Sequence, residues 1–144
     1  MNLMRVAHVP PAAVELSGSV ADAVRAMVNN GVGAVAVVDL GILKGIFSER
    51  DLMKKVIYRN LSPDKTPVAE VMTVEVESIR AEMQPADALR LMLERHFRHL
   101  PIVDEHGKVQ GILSIRNLLE HMVEELEDSV NSLTSYFAAD GPGG

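Results

Sequence analysis

One stretch of this chain is written twice. Ala21-Asp22-Ala23-Val24-Arg25-Ala26-Met27 returns 65 residues later as Ala86-Asp87-Ala88-Leu89-Arg90-Leu91-Met92, and Val38-Asp39 returns as Val103-Asp104 at the same offset. Gly41, Gly45-Ile46, Ser48, Arg50 and Leu52 return 66 residues later as Gly107, Gly111-Ile112, Ser114, Arg116 and Leu118, the extra residue being Glu105 in the second turn. A unit of this size closes a poor core by itself, so two copies are expected to pack on each other. The seam between them is the natural place for a ligand.

The rest of the composition narrows the class. A chain of 144 residues is one compact domain or two half-domains sharing a core. Aromatics make up only 3%, so that core must be built from Val, Leu, Ile, Met and Ala. There is no Cys, which excludes disulfides, thiolate catalysis and Cys-based zinc sites. No apolar run approaches the roughly 18 residues of a membrane span, and Met1 to Arg5 lack the apolar stretch of a signal peptide. The expectation is a cytoplasmic protein without membrane contact. The net charge of −6 is concentrated at one end: six acids and no Lys or Arg follow from Glu120 onward, leaving 14 of each sign before it. The neutral body has no basic run, and the acidic segment opposes phosphate backbones, so nucleic acid is not an expected partner.

Each repeat reads as strand, helix, strand, turn, strand, helix. In the first, Ser19 is placed to cap a helix over about residues 20–30, with Asp22 at capping-box spacing. Val20, Ala23, Val24, Met27 and Val28 form its apolar stripe, and Gly31 suits a left-handed cap. Strands are expected from Gly33 to Val38 and from Leu43 to Phe47, turned by Asp39-Leu40-Gly41. A second helix starts after Ser48 and runs to about Tyr58. In the second repeat Pro85 fits the first helical position, with a stripe of Ala88, Leu89, Met92 and Leu93. Strands Leu100–Val103 and Val109–Leu113 follow, then a helix after Ser114 running to about Phe137. The expected division is a first repeat at 1–60, a linker at 61–70, a second repeat at 71–125, a helical extension at 126–137 and a disordered tail at 138–144.

This order of elements resembles the CBS domain, and the pair resembles a Bateman module. The resemblance rests on Gly45-Ile46-Phe47-Ser48-Glu49-Arg50-Asp51 and Gly111-Ile112-Leu113-Ser114-Ile115-Arg116-Asn117, which fit the family's Gly-apolar-apolar-Ser/Thr-x-x-Asp/Asn pattern. His99-Leu100-Pro101-Ile102-Val103-Asp104 and Val71-Met72-Thr73 fit two further signatures, and the likeness covers roughly residues 5–125. It implies an α/β (α+β) fold of two β-α-β-β-α repeats about a pseudo-twofold axis, sheets face to face, with an extended C-terminal helix. It also implies a free-standing regulatory protein, not an enzyme, forming a homodimer and requiring no cofactor. Adenosine-containing ligands are expected in the clefts between repeats: AMP, ADP, ATP, S-adenosylmethionine or a dinucleotide.

Physical chemistry supplies reasons for the motif. One carboxylate can accept from both hydroxyls of a ribose diol, and Asp51 is the candidate. Ser48 begins the same helix, where free N–H groups and the dipole favour phosphate. Arg50 and Lys54 or Lys55 are placed to neutralise it. By resemblance this first site borrows Thr73, and backbone near Val76 and near Leu100-Pro101 against the adenine. The second site uses Ser114, Arg116 and Asn117, with His8 and backbone near Gly33-Ala34-Val35 from the first repeat. Arg98 and His99 are its candidate phosphate contacts. Asn117 carries no charge and His8 replaces the Thr73 equivalent, so the first site is expected to bind more tightly.

Blander readings accompany these. Ser-x-x-Asp is also an ordinary helix cap, which would leave a ligand-free structural or dimerising module. Gly45 and Gly111 are expected to permit close strand approach. His96, His99 and His106 fall on a helix end, a strand and a turn, so no metal site is expected. No nucleophile elbow or phosphate loop is present. In the last helix, Leu119, Val123, Leu126, Val130, Leu133 and Phe137 are spaced 4, 3, 4, 3, 4, a heptad seam with Leu at d. That seam either folds back on the body or pairs outside it, and its acids offer a docking surface to a protein partner.

Overall fold

The computed structural model describes residues 2–139. A 3-10 turn, Leu3–Arg5, leads into strand β1 (Ala13–Glu15), helix α1 (Val20–Asn30), strands β2 (Ala34–Asp39) and β3 (Ile42–Ser48), and helix α2 (Glu49–Asp51), which widens into a π-helical stretch, Leu52–Ile57. The second repeat follows as a short helix α3 (Val68–Val71), helix α4 (Pro85–Arg95), strands β4 (His99–Val103) and β5 (Val109–Ser114), and helix α5 (Ile115–Ala139). Of the expected tail, Asp140 to Gly144 lie outside the described residues.

The caps of α1 form as the spacing predicts. Ser19 Oγ accepts from the Asp22 N–H at 3.1 Å and the Asp22 carboxylate accepts from the Ser19 N–H at 3.0 Å. Gly31 ends the helix at φ +62°, a conformation that costs Gly little. Val20, Ala23 and Met27 are buried, but the stripe is narrower than expected: Val28 is 73% exposed and Leu93, its counterpart, 58%. Strand β2 is buried from Ala34 to Val38, which explains its unbroken apolar run.

The two sheets differ. In the first, β1 pairs parallel with β2 and β2 antiparallel with β3. In the second only β4 and β5 form a ladder, and the expected lead strand shrinks to one parallel bridge between Ile79 and Ile102. At one end of that strand the reason is a single residue. In the first repeat the Ala36 N–H donates to the Ala12 carbonyl at 2.9 Å. Its counterpart 65 residues on is Pro101, which has no N–H to donate.

The repeats are interlocked rather than stacked. Leu3, from the start of the chain, is fully buried in the second core among Met92, Leu100, Ile102, Leu113 and Leu118. Val68 and Val71 lie in the first core with Val35, Val37, Phe47 and Val56. The backbone repeats the exchange: His8 bridges to Ile112 on β5, and Thr73 bridges to Ile46 on β3. Such reciprocity is the signature of a pseudo-twofold axis. A third cluster, Ala36, Val38 and Ile112 with Leu43 and Val109, joins the two sheets across it. The close approach explains two glycines. A Cβ on Gly45 would sit 2.8 Å from the Thr73 carbonyl oxygen, and one on Gly111 3.2 Å from that of His8.

Candidate functional site

The exchange of lead-in segments opens two clefts between the repeats. The first, of about 350 Å³, is lined by Ser48, Glu49, Arg50, Asp51, Thr73 and Val76, with the His96-to-His99 segment opposite. Asp51 is 8% exposed. Its carboxylate accepts from the Ser48 N–H at 3.0 Å, the Ser48 hydroxyl at 3.2 Å and the Thr73 hydroxyl at 3.2 Å, and pairs with the Lys55 ammonium at 3.1 Å. A carboxylate offers about four acceptor positions, and these donors occupy them. The Asp51 N–H returns to Ser48 Oγ at 3.3 Å, completing a capping box. The cap and the expected ribose contact therefore fall on the same oxygens. Any further donor reaching Asp51 competes with groups already in place, among them the Thr73 hydroxyl and the Lys55 ammonium.

Leu100 and Pro101, whose backbone is expected against an adenine here, contribute no side chain to the lining of this cleft. Leu100 is fully buried in the second core and Pro101 is buried on β4. Strand alternation sends the Leu100 side chain to the face opposite His99, which lines the cleft.

The second cleft, of about 920 Å³, gathers every residue expected there: His8, Ala34, Arg98, His99, Ser114, Arg116 and Asn117. Its two walls differ in chemistry. The first repeat contributes an apolar face that includes Val24, Met27, Val28 and Leu52. The second contributes the start of the 25-residue helix α5 and the cations Arg98 and Arg116. Here the cap is open: the Asn117 N–H donates to Ser114 Oγ at 3.1 Å, and the Asn117 side chain stays exposed. Arg116 is held by Glu120 at 3.1 Å, so an incoming anion competes with that carboxylate.

Gly33, Glu49, Arg98 and His99 line both clefts. Burial holds the His99 imidazole below its usual 6.5; the Glu49 carboxylate opposes this and the Arg98 guanidinium assists it. Glu49, Val28 and Glu120 were not expected among the site residues. Glu49 sits inside the Ser-x-x-Asp motif, but its place over Gly33 is set by the Glu49 N–H bond to the Gly33 carbonyl, 3.0 Å, across the strand ends.

Among the described residues no cluster of His, Asp and Glu has metal-binding geometry, and no helix is long and apolar enough to cross a membrane. The fold and clefts define a two-repeat ligand-binding architecture. The CBS domain family matches residues 3–58 and 68–124, and the chain belongs to it as a tandem pair. The chain is 35% identical over 107 residues to a protein of Acidianus ambivalens, covering 74% of this chain and 63% of that one. It spans only 16% of a Schizosaccharomyces pombe relative. A CBS-domain protein from Burkholderia ambifaria MC40-6 superposes with a TM-score of 0.76 at 31% identity, over 86% of this chain and 95% of the other. The CBS domain pair of MJ0100, solved with 5′-methylthioadenosine and S-adenosyl-L-methionine, superposes with a TM-score of 0.78 at 20% identity, over 87% and 98%.

Proposed function

We propose that this chain is a non-catalytic sensor that takes an adenosine-containing ligand between its repeats and signals occupancy to a partner by shifting their arrangement. The observation that carries the reading is the second cleft. Its apolar wall suits a purine face, and its opposite wall offers a helix N-terminus, two guanidiniums and an exposed amide to a ribose and phosphates. The volume lies within the range of small-molecule sites. The sequence favoured the first site for its charged Asp51, but that carboxylate is already engaged by Thr73 and Lys55, so in this reading the order is reversed and the second cleft fills first. The first fills only with a ligand able to exchange for Thr73 and Lys55. The MJ0100 pair, with adenosine compounds bound, supports this ligand class.

The mechanism follows from the shared wall. A ligand in the second cleft contacts groups that also bound the first, so occupancy of one changes the shape and charge of the other. It also biases whichever arrangement of the interlocked repeats it fits better.

The test is thermal unfolding and calorimetry with AMP, ADP, ATP and S-adenosylmethionine, on wild type and Glu120→Gln. At about 100 times the dissociation constant, single-site linkage predicts roughly 2.7 kcal/mol of stabilisation. Freeing Arg116 in Glu120→Gln should tighten phosphate-bearing ligands by up to about fivefold, an exposed ion pair being worth at most about 1 kcal/mol. S-adenosylmethionine should be unaffected. No stabilisation by any of these ligands, and no heat of binding, would remove the sensor reading in favour of a structural module whose motifs are caps.

A further inference from the structure

Helix α5 leaves the body after two turns. Leu118 is fully buried and Met122 packs on the second core. From Val123 onward the apolar seam is bare: Val123 is 51% exposed, Leu126 66%, Val130 59%, Leu133 59% and Phe137 67%. The seam does not fold back on its own domain. The 17 residues from Val123 to Ala139 extend roughly 25 Å, and an isolated helix of that length is marginal in water. A bare seam on a helix of that length calls for a cover.

We propose that the cover is the same helix of a second copy, in a parallel, in-register two-stranded coiled coil. Val123, Val130 and Phe137 take the a positions, and Leu119, Leu126 and Leu133 the d positions. β-branched residues at a with Leu at d favour two parallel strands.

The charges choose the orientation. With this register the e positions are Glu120, Glu127 and Thr134, and the g positions Met122, Ser129 and Tyr136. In a parallel pair each g side chain meets the e side chain five residues on in the other copy. Met122 then meets Glu127 and Ser129 meets Thr134, so no two acids are opposed. The remaining acids, Glu124, Glu125 and Asp128, fall at the outward b, c and f positions. In an antiparallel pair e faces e, and overlapping the seams sets the two copies' Glu127 carboxylates against each other. A net-acidic helix is therefore compatible with self-pairing in only one orientation. That orientation brings two repeat pairs together at the same end and ties their positions to the helix that begins at Ser114 in the second cleft.

The experiment uses the full chain. Sedimentation equilibrium should show a concentration-dependent dimer, and Leu126→Glu with Leu133→Glu should return the mass of one chain. Both side chains are exposed within a single chain, so the body should keep its fold. The chain has no Cys, so Leu133→Cys provides a second reading that disturbs little. In the parallel register the two thiols meet, and mild oxidation should link most of the protein as dimers. In the antiparallel arrangement Leu133 lies opposite Val123, roughly 15 Å along the helix from its twin, and linking would be slow. A chain that stays monomeric overturns the proposal and leaves the seam for another protein. A dimer indifferent to the two Glu substitutions, or one that Leu133→Cys fails to link, overturns it as well.

Discussion

Replacing Gly45 by Ala should damage this protein far more than the same change at Gly111, although the two glycines are counterparts in the repeat. At Gly45 the new methyl would lie 2.8 Å from Met72 Sδ, 2.8 Å from the Thr73 carbonyl oxygen and 3.1 Å from Met72 Cγ. The sulfur can swing away, but the carbonyl belongs to backbone fixed by two bonds, Ile46 N–H to Thr73 O at 3.0 Å and Thr73 N–H to Ile46 O at 2.8 Å. Relieving the contact means pushing the Thr73 segment off β3. Overpacking of this kind costs about 1–3 kcal/mol, and weakening two hydrogen bonds adds up to about 1 kcal/mol each. Stiffening the unfolded chain returns roughly 0.4–1 kcal/mol. The net loss is about 2–3 kcal/mol, a fall of roughly 6–10 °C in Tm for a domain of this size. At Gly111 the nearest atoms stand at 3.2 to 3.3 Å and include a Val9 methyl and the Ala7 Cβ. A shift of a few tenths of an ångström suffices there, so the net change should stay within about 1 kcal/mol. Urea denaturation of both variants, with unchanged m-values, measures the difference. Equal losses, or a larger loss at Gly111, would refute the close-approach argument and the exchanged-strand geometry beneath it.

Leu3→Ala should cost about 3 kcal/mol despite lying at the chain's start, because it empties a fully buried site in the second core. A variant within 1 kcal/mol of wild type in urea would contradict the interlock. Acid should weaken the fold before the carboxylates titrate. Since the folded-state pKa of His99 is depressed, the unfolded chain takes up its proton first. The contribution of His99 is complete above about pH 6.5 and is lost as pH falls towards its lowered value. Tm measured from pH 7.5 to 5.5 should fall less steeply in His99→Gln, and an identical slope would remove His99 as the cause.

Much of the fold was legible because repetition is visible without coordinates. The 65-residue offset located both α1 and α4, and Ser19, Asp22, Gly31 and Pro85 marked their ends through local hydrogen bonding and backbone preference. The Gly-apolar-apolar-Ser pattern pointed to Ser48 and Ser114, which line the two clefts. One error came from reading the repeats as equivalent. A lead strand was expected in both repeats, yet the missing N–H of Pro101 removes one bond that would extend it in the second. Val28 looked like core, and it lies exposed on the wall of the larger cleft instead.

The residue order by itself determined that two copies of one unit would form, where their helices begin, and which motif starts each cleft, because these depend on neighbours a few positions apart. It also determined the heptad register of α5. Only the tertiary structure decided that Leu3 and Val68 change places between cores. It decided too that Asp51 is closed by Thr73 and Lys55 while Asn117 stays open, and that the acidic helix stands clear of its own body. Those outcomes depend on which groups from the other repeat arrive beside a residue, and no local pattern records that.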